Sequence, residues 1–256
     1  MSIANIQPVL GIIAALPAEA HSLGVGEFPA GQIFRVNEKV LLIRCGIGRG
    51  RAEWAARELI GAGVKALLSW GTAAAISREL SHGDLVLPLE VLARHGHRLR
   101  TDQRWHRRLA ETLVSQGGHC GGTLAEADSV LKDADDKLRL RNLSGALIAD
   151  MESAAIAEVC HGASIPFLVV RAVSDTSTTR VPDCALAAVD ENGDVSVARC
   201  LGKLVFSPGD MLALLRLGRG FGRACAALSD LARRAGPELC LPAPGAPEDA
   251  PGRPQA

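Results

Sequence analysis

What most restricts the fold of this chain is a repeated order: a short apolar run, a turn of glycine or small polar residues, then apolar residues at helical spacing. The runs are "PVLGIIAAL" (8–16), "KVLLIRCGIG" (39–48), "VKALLSWGTAAAI" (64–76), "GDLVLPLEVLAR" (83–94) and "IPFLVVRAVSD" (165–175). Near-continuous apolar runs of this length suit strands covered on both faces. Helical spacing appears in "RAEWAARELIGAG" (51–63), over 102–116, and over about 150–161. The alternation predicts an α/β fold: a single-domain three-layer sandwich around a central mixed, largely parallel sheet. At 256 residues and 48% hydrophobic, the chain has material for one sizeable domain and little for a second. That domain is expected over 1–235, its last part (about 208–235) an arginine-rich helix. The proline-rich residues 236–256 read as a disordered tail.

Composition removes several functions. Lys plus Arg and Asp plus Glu are both 28, so nothing global favours nucleic acid. Aromatics are 3% with no tyrosine, too few for base-stacking platforms. The seven cysteines include no CxxC pair, and no run approaches the ~18–20 apolar residues of a membrane span. With no signal-peptide pattern at the start, a cytoplasmic protein with reduced thiols is expected. His95, His97 and His106 lie in "RHGHRLRTDQRWHRRL" without a carboxylate or cysteine at metal-ligand spacing, so a solvated basic surface is expected and no metal is assigned. "RCGIGRGRA" (44–52) has Arg51 where the dinucleotide fingerprint needs its last glycine, so it reads as a tight turn.

In sheets of this kind ligands gather at the carboxyl ends of strands. Cys45-Gly46, Gly71-Thr72 and Ser174-Asp175 fall there. "DMESAA" (150–155) sets two carboxylates at a helix start; Asp150 is explained as a capping residue, Glu152 is not. Glu19 and Asp175 each close a strand–loop unit, and singly each reads as a solvated loop acid.

"GIIAALPAEA", "CGIGRGRA", "SWGTAAAI", "GDLVLP", "IADMESAAIAEVC" and "PFLVVRAVSD" follow one another in the order and spacing of the nucleoside phosphorylase/nucleosidase superfamily. The chain resembles in particular the methylthioadenosine/S-adenosylhomocysteine nucleosidases. Its arginine-rich C-terminal region and "VDENGDVSVARCLGKLVFSPGDMLALLRLGR" (189–219) look like the hopanoid-biosynthesis-associated members, described as releasing adenine from adenosylhopane. The resemblance implies cleavage of an N-glycosidic bond through an oxocarbenium-like sugar. It implies Asp175 as the acid protonating adenine N7, supported by Ser174, and Glu19 as the base activating water. Glu152 would bind the ribose hydroxyls and Met151 wall the sugar. Gly71 and Thr72 would stand near ribose and nucleophile, Arg171 near Glu152 and the nucleophile, and Ser129 and Val130 near the adenine edge.

The Gly-Asp-x-x-Arg loop of bacterial purine phosphorylases is absent from "AALPAEA", and Ser69-Trp70 stands where they place an arginine. Water is therefore preferred over phosphate. Phosphate stays open as a co-substrate through Arg35, Arg49 and Arg51, with no cofactor required. The expected partner is an adenine nucleoside, lipid-linked if the hopanoid resemblance holds, in a homodimer or larger homo-oligomer. The arginine-rich helix suits an anionic membrane surface, or packs its apolar face on the domain. The rival substrate is methylthioadenosine or S-adenosylhomocysteine. A binder without catalysis would need neither the proton donor nor the base.

Overall fold

The computed structural model describes residues 9–115, 117–190, 192–194, 196 and 210–243. Its strands are β1 (Leu10–Ala14), β2 (Ile33–Arg35), β3 (Val40–Arg44), β4 (Ala66–Ala75), β5 (Leu85–Leu87), β6 (Glu90–Leu92), β7 (Arg98–Arg100), β8 (His119–Cys120), β9 (Thr123–Glu126), β10 (Ile148–Asp150) and β11 (Phe167–Asp175). The helices are α1 (Pro17–His21), α2 (Arg49–Gly61), α3 (Gln103–Val114), α4 (Ala134–Ser144), α5 (Ser153–Ala163), α6 (Asp183–Ala188) and α7 (Asp210–Ala235). All eleven strands join one sheet in the order β2-β3-β1-β4-β10-β9-β6-β7, with β11, β5 and β8 branching from β4. Six of the ten strand pairings are parallel, which makes the sheet mixed and largely parallel.

The two-residue period of each strand assigns its side chains to opposite layers. Ile13, Leu41 and Ile43 pack with α2 and α5. Leu10, Ile12, Val40 and Leu42 turn the other way, into the core shared with α3 and α7. β4 is the hinge of the architecture. Its first half pairs with β1, its tip runs antiparallel to β10, and β11 lies along it for most of its length.

Five expectations change. The run at 83–94 is two strands, because Pro88 has no N–H to continue a ladder. The helix expected from 150 begins at Ser153; Asp150 ends β10, and Glu152 sits just before the first turn with φ −120°. Glu19 is on a short helix rather than in a loop, and is 3% exposed. His106 is buried in α3 with Nε2 3.0 Å from the Leu87 carbonyl, and burial lowers its pKa, so of the three histidines of that stretch only His95 and His97 are exposed. Finally, the chain stays packed beyond 235. Leu239 is 1% exposed and its carbonyl accepts Trp105 Nε1–H at 2.7 Å. Leu241 packs on the same core, so a disordered tail does not begin at 236; residues 244–256 lie outside the described ones.

The second half of α7 buries Ala224, Leu228 and Leu231 against the sheet. The contact is close at Gly220, where a Cβ would lie 2.3 Å from the Ser174 carbonyl oxygen and 2.4 Å from His82 Nδ1. No described helix is long and apolar enough to cross a membrane.

Candidate active site

The carboxyl ends of β1, β4, β10 and β11 converge on a hollow of about 200 Å³. Glu19, Glu152 and Asp175 all line it. A larger hollow, about 380 Å³, borders α1 near Glu27 and Phe28. Its Arg44 and Asp194 are already paired at 2.7 Å, and neither Glu152 nor Asp175 reaches it.

Asp175 owes its position to a β-bulge. β11 stays in register with β4 to Val173, then slips so that Asp175 pairs with Ala74. The extra residue, Ser174, donates its hydroxyl to Asp175 Oδ1 at 2.8 Å. Bulges re-aim side chains at strand ends in this way. The other oxygen, Oδ2, accepts from Lys137 Nζ at 2.5 Å. Lys137 has no exposed surface and also donates to the carbonyls of Thr176 and Thr179.

Glu19 is held by four donors. Oε2 accepts the Ala15 and Leu16 N–H groups, both at 3.0 Å. Oε1 accepts the Thr72 N–H at 2.8 Å and its hydroxyl at 2.9 Å. The carboxylate lies over Gly71, where a Cβ would come within 2.7 Å of it, so only glycine leaves room. Gly71 thus acts from beneath Glu19 and Thr72 from the wall.

Glu152 Oε1 accepts the Gly48 N–H at 2.7 Å, and Oε2 the Met151 N–H at 3.2 Å. Burial raises the Glu152 pKa to about 7, with the Asp150 charge adding to it; the Gly48 N–H and Arg171 pull the other way. The residue itself keeps some exposure toward the hollow, so pocket water screens part of that effect. Beside it, burial pushes the Cys45 thiol well up, with Glu152 and Glu19 adding, which leaves no thiolate nucleophile here.

Met151, Ser174, Ser129 and Val130 line the hollow as expected. Arg171 does not. It is 3% exposed, and its guanidinium is spent on Asp150 Oδ2 at 2.7 Å, the hydroxyls of Ser69 and Ser153, and the Val170 carbonyl. Asp150 also accepts the Glu152 and Ser153 N–H groups, so it caps the helix and pairs with Arg171 at once. Placing Arg171 at the nucleophile is therefore corrected: it braces the floor under Glu152 and reaches that carboxylate only through its charge. Sequence reading also missed Lys137. Charges crowd "KDADDKLRLR", and no apolar stripe marks which of them turns inward.

Arg35, Arg49 and Arg51 do not line the hollow. Arg49 bridges Glu126 and Glu158, Arg51 donates to Asn192, and Arg35 to the Glu38 carbonyl. No arginine or lysine is among the lining residues described.

A family model described as the phosphorylase superfamily matches residues 9–204. The chain belongs to the phosphorylase superfamily, and it is an enzyme. Its sequence is 29% identical over 200 residues to a 5′-methylthioadenosine/S-adenosylhomocysteine nucleosidase of Shewanella piezotolerans, covering 66% of this chain and 86% of that protein. The Staphylococcus haemolyticus nucleosidase of the same name is 28% identical over 159 residues, covering 54% and 69%. Among solved structures, futalosine hydrolase of Helicobacter pylori superposes with a TM-score of 0.67 at 16% identity, covering 90% of this chain and 98% of that one. The Neisseria meningitidis methylthioadenosine/S-adenosylhomocysteine nucleosidase, bound to methylthio-immucillin-A, gives 0.66 at 18%, covering 88% and 97%. These two establish the shared fold.

Proposed function

We propose that this superfamily member hydrolyses the N-glycosidic bond of an adenine nucleoside. The observation that carries the reading is the convergence of Asp175, Glu152 and Glu19 on one hollow. Asp175 is the acid for the leaving base, a role worth about 10²–10⁴ in rate. Glu152 accepts hydrogen bonds from the ribose hydroxyls, and Glu19 takes the proton of the attacking water. Cleavage is then in balance: water adds OH to the sugar carbon, and the base leaves with a proton. Water is favoured over phosphate because no guanidinium lines the described hollow, and a bound phosphate calls for such forks.

The finer reading is a nucleoside with a bulky apolar 5′ substituent, adenosylhopane in particular. It rests on the resemblance of residues 189–219 and the arginine-rich C-terminal region, and on the apolar rim of Leu16, Ile47, Val130, Leu131 and Val181. Adenine release from adenosylhopane, methylthioadenosine and S-adenosylhomocysteine, with and without phosphate, tests both levels. Free ribosylhopane without phosphate supports the whole reading. Cleavage of methylthioadenosine alone keeps the chemistry and removes the lipid, and a phosphate-dependent product replaces water as nucleophile.

A lipid substrate also calls for contact with a membrane surface. The first half of α7 exposes Met211, Leu212 and Leu215. Arg180, Arg216, Arg219 and Arg223 share one hollow beside it. Arg233 and Arg234 pair with Asp230, whereas no described carboxylate pairs with Arg216, Arg219 or Arg223. Deleting α7 would strip the core, so point changes are the usable test. Leu212→Glu with Leu215→Glu is expected to cut binding to anionic vesicles at least tenfold while methylthioadenosine cleavage is unchanged. Undiminished vesicle binding would remove the membrane role.

A further inference from the structure

We infer that Lys137 is the positioning residue for Asp175, and that this clamp, built from α4, fixes the acid relative to the leaving base. The inference rests on the nucleosidase reading of the hollow. Lys137 is fully buried, and its ammonium has three N–H bonds for three acceptors: Asp175 Oδ2 at 2.5 Å, the Thr176 carbonyl at 2.7 Å and the Thr179 carbonyl at 2.9 Å. Nothing on the ammonium is left over for solvent or substrate. A buried cation satisfied in this way is held in one geometry, and it holds its acceptors in return.

Those acceptors belong to one short segment. Thr176–Thr179 is the turn that follows β11, closed by the Thr179 N–H to the Thr176 carbonyl at 3.0 Å. Two residues on, the Val181 N–H donates to the Lys132 carbonyl at 2.8 Å, just ahead of α4. Val181 lines the hollow, so α4 grips this segment both at the acid and at the rim. With Oδ2 engaged by Lys137, Oδ1 is left as the oxygen that meets the base, and Ser174 orients it at 2.8 Å. The bulge at Ser174 re-aims Asp175 while its backbone stays paired with Ala74, so the ladder fixes the backbone and the clamp fixes the carboxylate. A displacement of about 1 Å in an active site can cost about 10²-fold in rate.

The test uses Lys137→Ala and Lys137→Met in the full chain, with methylthioadenosine or the best substrate of the panel. For the folded variants kcat is expected to fall about 100-fold while KM stays within about threefold, because Lys137 touches the acid and not the ribose site. Ethylammonium is expected to restore at least tenfold of the lost rate to Lys137→Ala, and ethanol, of similar size but uncharged, none. A folded variant with kcat within threefold of the parent overturns the inference, as does equal rescue by ethanol. If neither variant folds, a crystal structure of the parent with adenine bound decides: Nζ remaining on Oδ2 with Oδ1 facing the base supports the clamp, and an ammonium withdrawn from Asp175 overturns it. A parent enzyme that releases no base from any nucleoside overturns the function and the clamp's role with it, whereas an active parent with an equally active variant overturns the clamp alone.

Discussion

Asp175→Asn is expected to lower base release by about 10²–10⁴-fold, the usual value of general-acid help to a poor leaving group. Asparagine keeps the shape and much of the bonding. Its carbonyl oxygen can accept from Lys137, and its amide can donate to the Ser174 hydroxyl, so the bulge and the turn behind it survive. What it lacks is a carboxyl group able to take up a proton and pass it to the base. The substitution also has a structural cost, since Lys137 keeps two carbonyl acceptors but loses its counter-charge. Breaking a buried ion pair costs at most about 3–5 kcal/mol, so Tm is expected to drop by several degrees while the protein stays folded at 25 °C. Release of base is therefore measured by chromatography at 25 °C and normalised to folded protein. Parental turnover in a folded Asp175→Asn protein would take the acid role away from this residue.

Glu152→Gln is expected to trade function for stability, with a pH signature. In the folded protein Glu152 titrates at about 7 instead of 4.5, chiefly because it is buried and secondly because of Asp150. The folded state thus binds this proton more tightly than the unfolded chain. Below about pH 4.5 the group is protonated in both states and carries no penalty. As pH rises from about 4.5 to about 7 the stability falls, and the loss levels off by pH 8 at no more than about 3 kcal/mol before screening by pocket water is allowed for. Glutamine removes that penalty. Tm is expected to rise by a few degrees at pH 8 and not at pH 4. Activity moves the other way: two charge-assisted hydrogen bonds to ribose are lost, for a fall of about 10²–10³ in kcat/KM. The parent enzyme is expected to show the same dependence as a rise in KM as pH drops below about 7. A flat KM between pH 5 and 8, or an equal Tm change at both pH values, would remove Glu152 from the ribose site.

The two substitutions draw on different parts of the molecule, and they mark how far the chain could be read unaided. Asp175, Glu152 and Glu19 stand near strand ends in the sequence, but singly the first and last read as loop acids, and it was the resemblance to the nucleosidases that joined the three into one site. Met151, Thr72, Ser129 and Val130 came from the same resemblance, and the structure puts them on the same hollow. Arg171 was misplaced. Its position in an apolar strand said only that it must be paired, and the partner, Asp150, is 21 residues away and met only across the sheet. His106 and residues 236–243 were read as solvated because basic and proline-rich segments usually are. His106 and Leu239 are buried because α3 and the chain after α7 close over the same apolar layer.

Local pattern therefore determined the strand and helix alternation, the layers, and which acids stand at strand ends, because burial and backbone pairing leave a period of two or 3.6 in the residues themselves. Tertiary structure alone decided the charge partners. Lys137 meets Asp175 across 38 residues, and Arg171 is turned under Glu152 rather than toward the hollow. A buried charge is satisfied by whichever groups the fold brings within about 3 Å, and nothing in linear spacing records that distance.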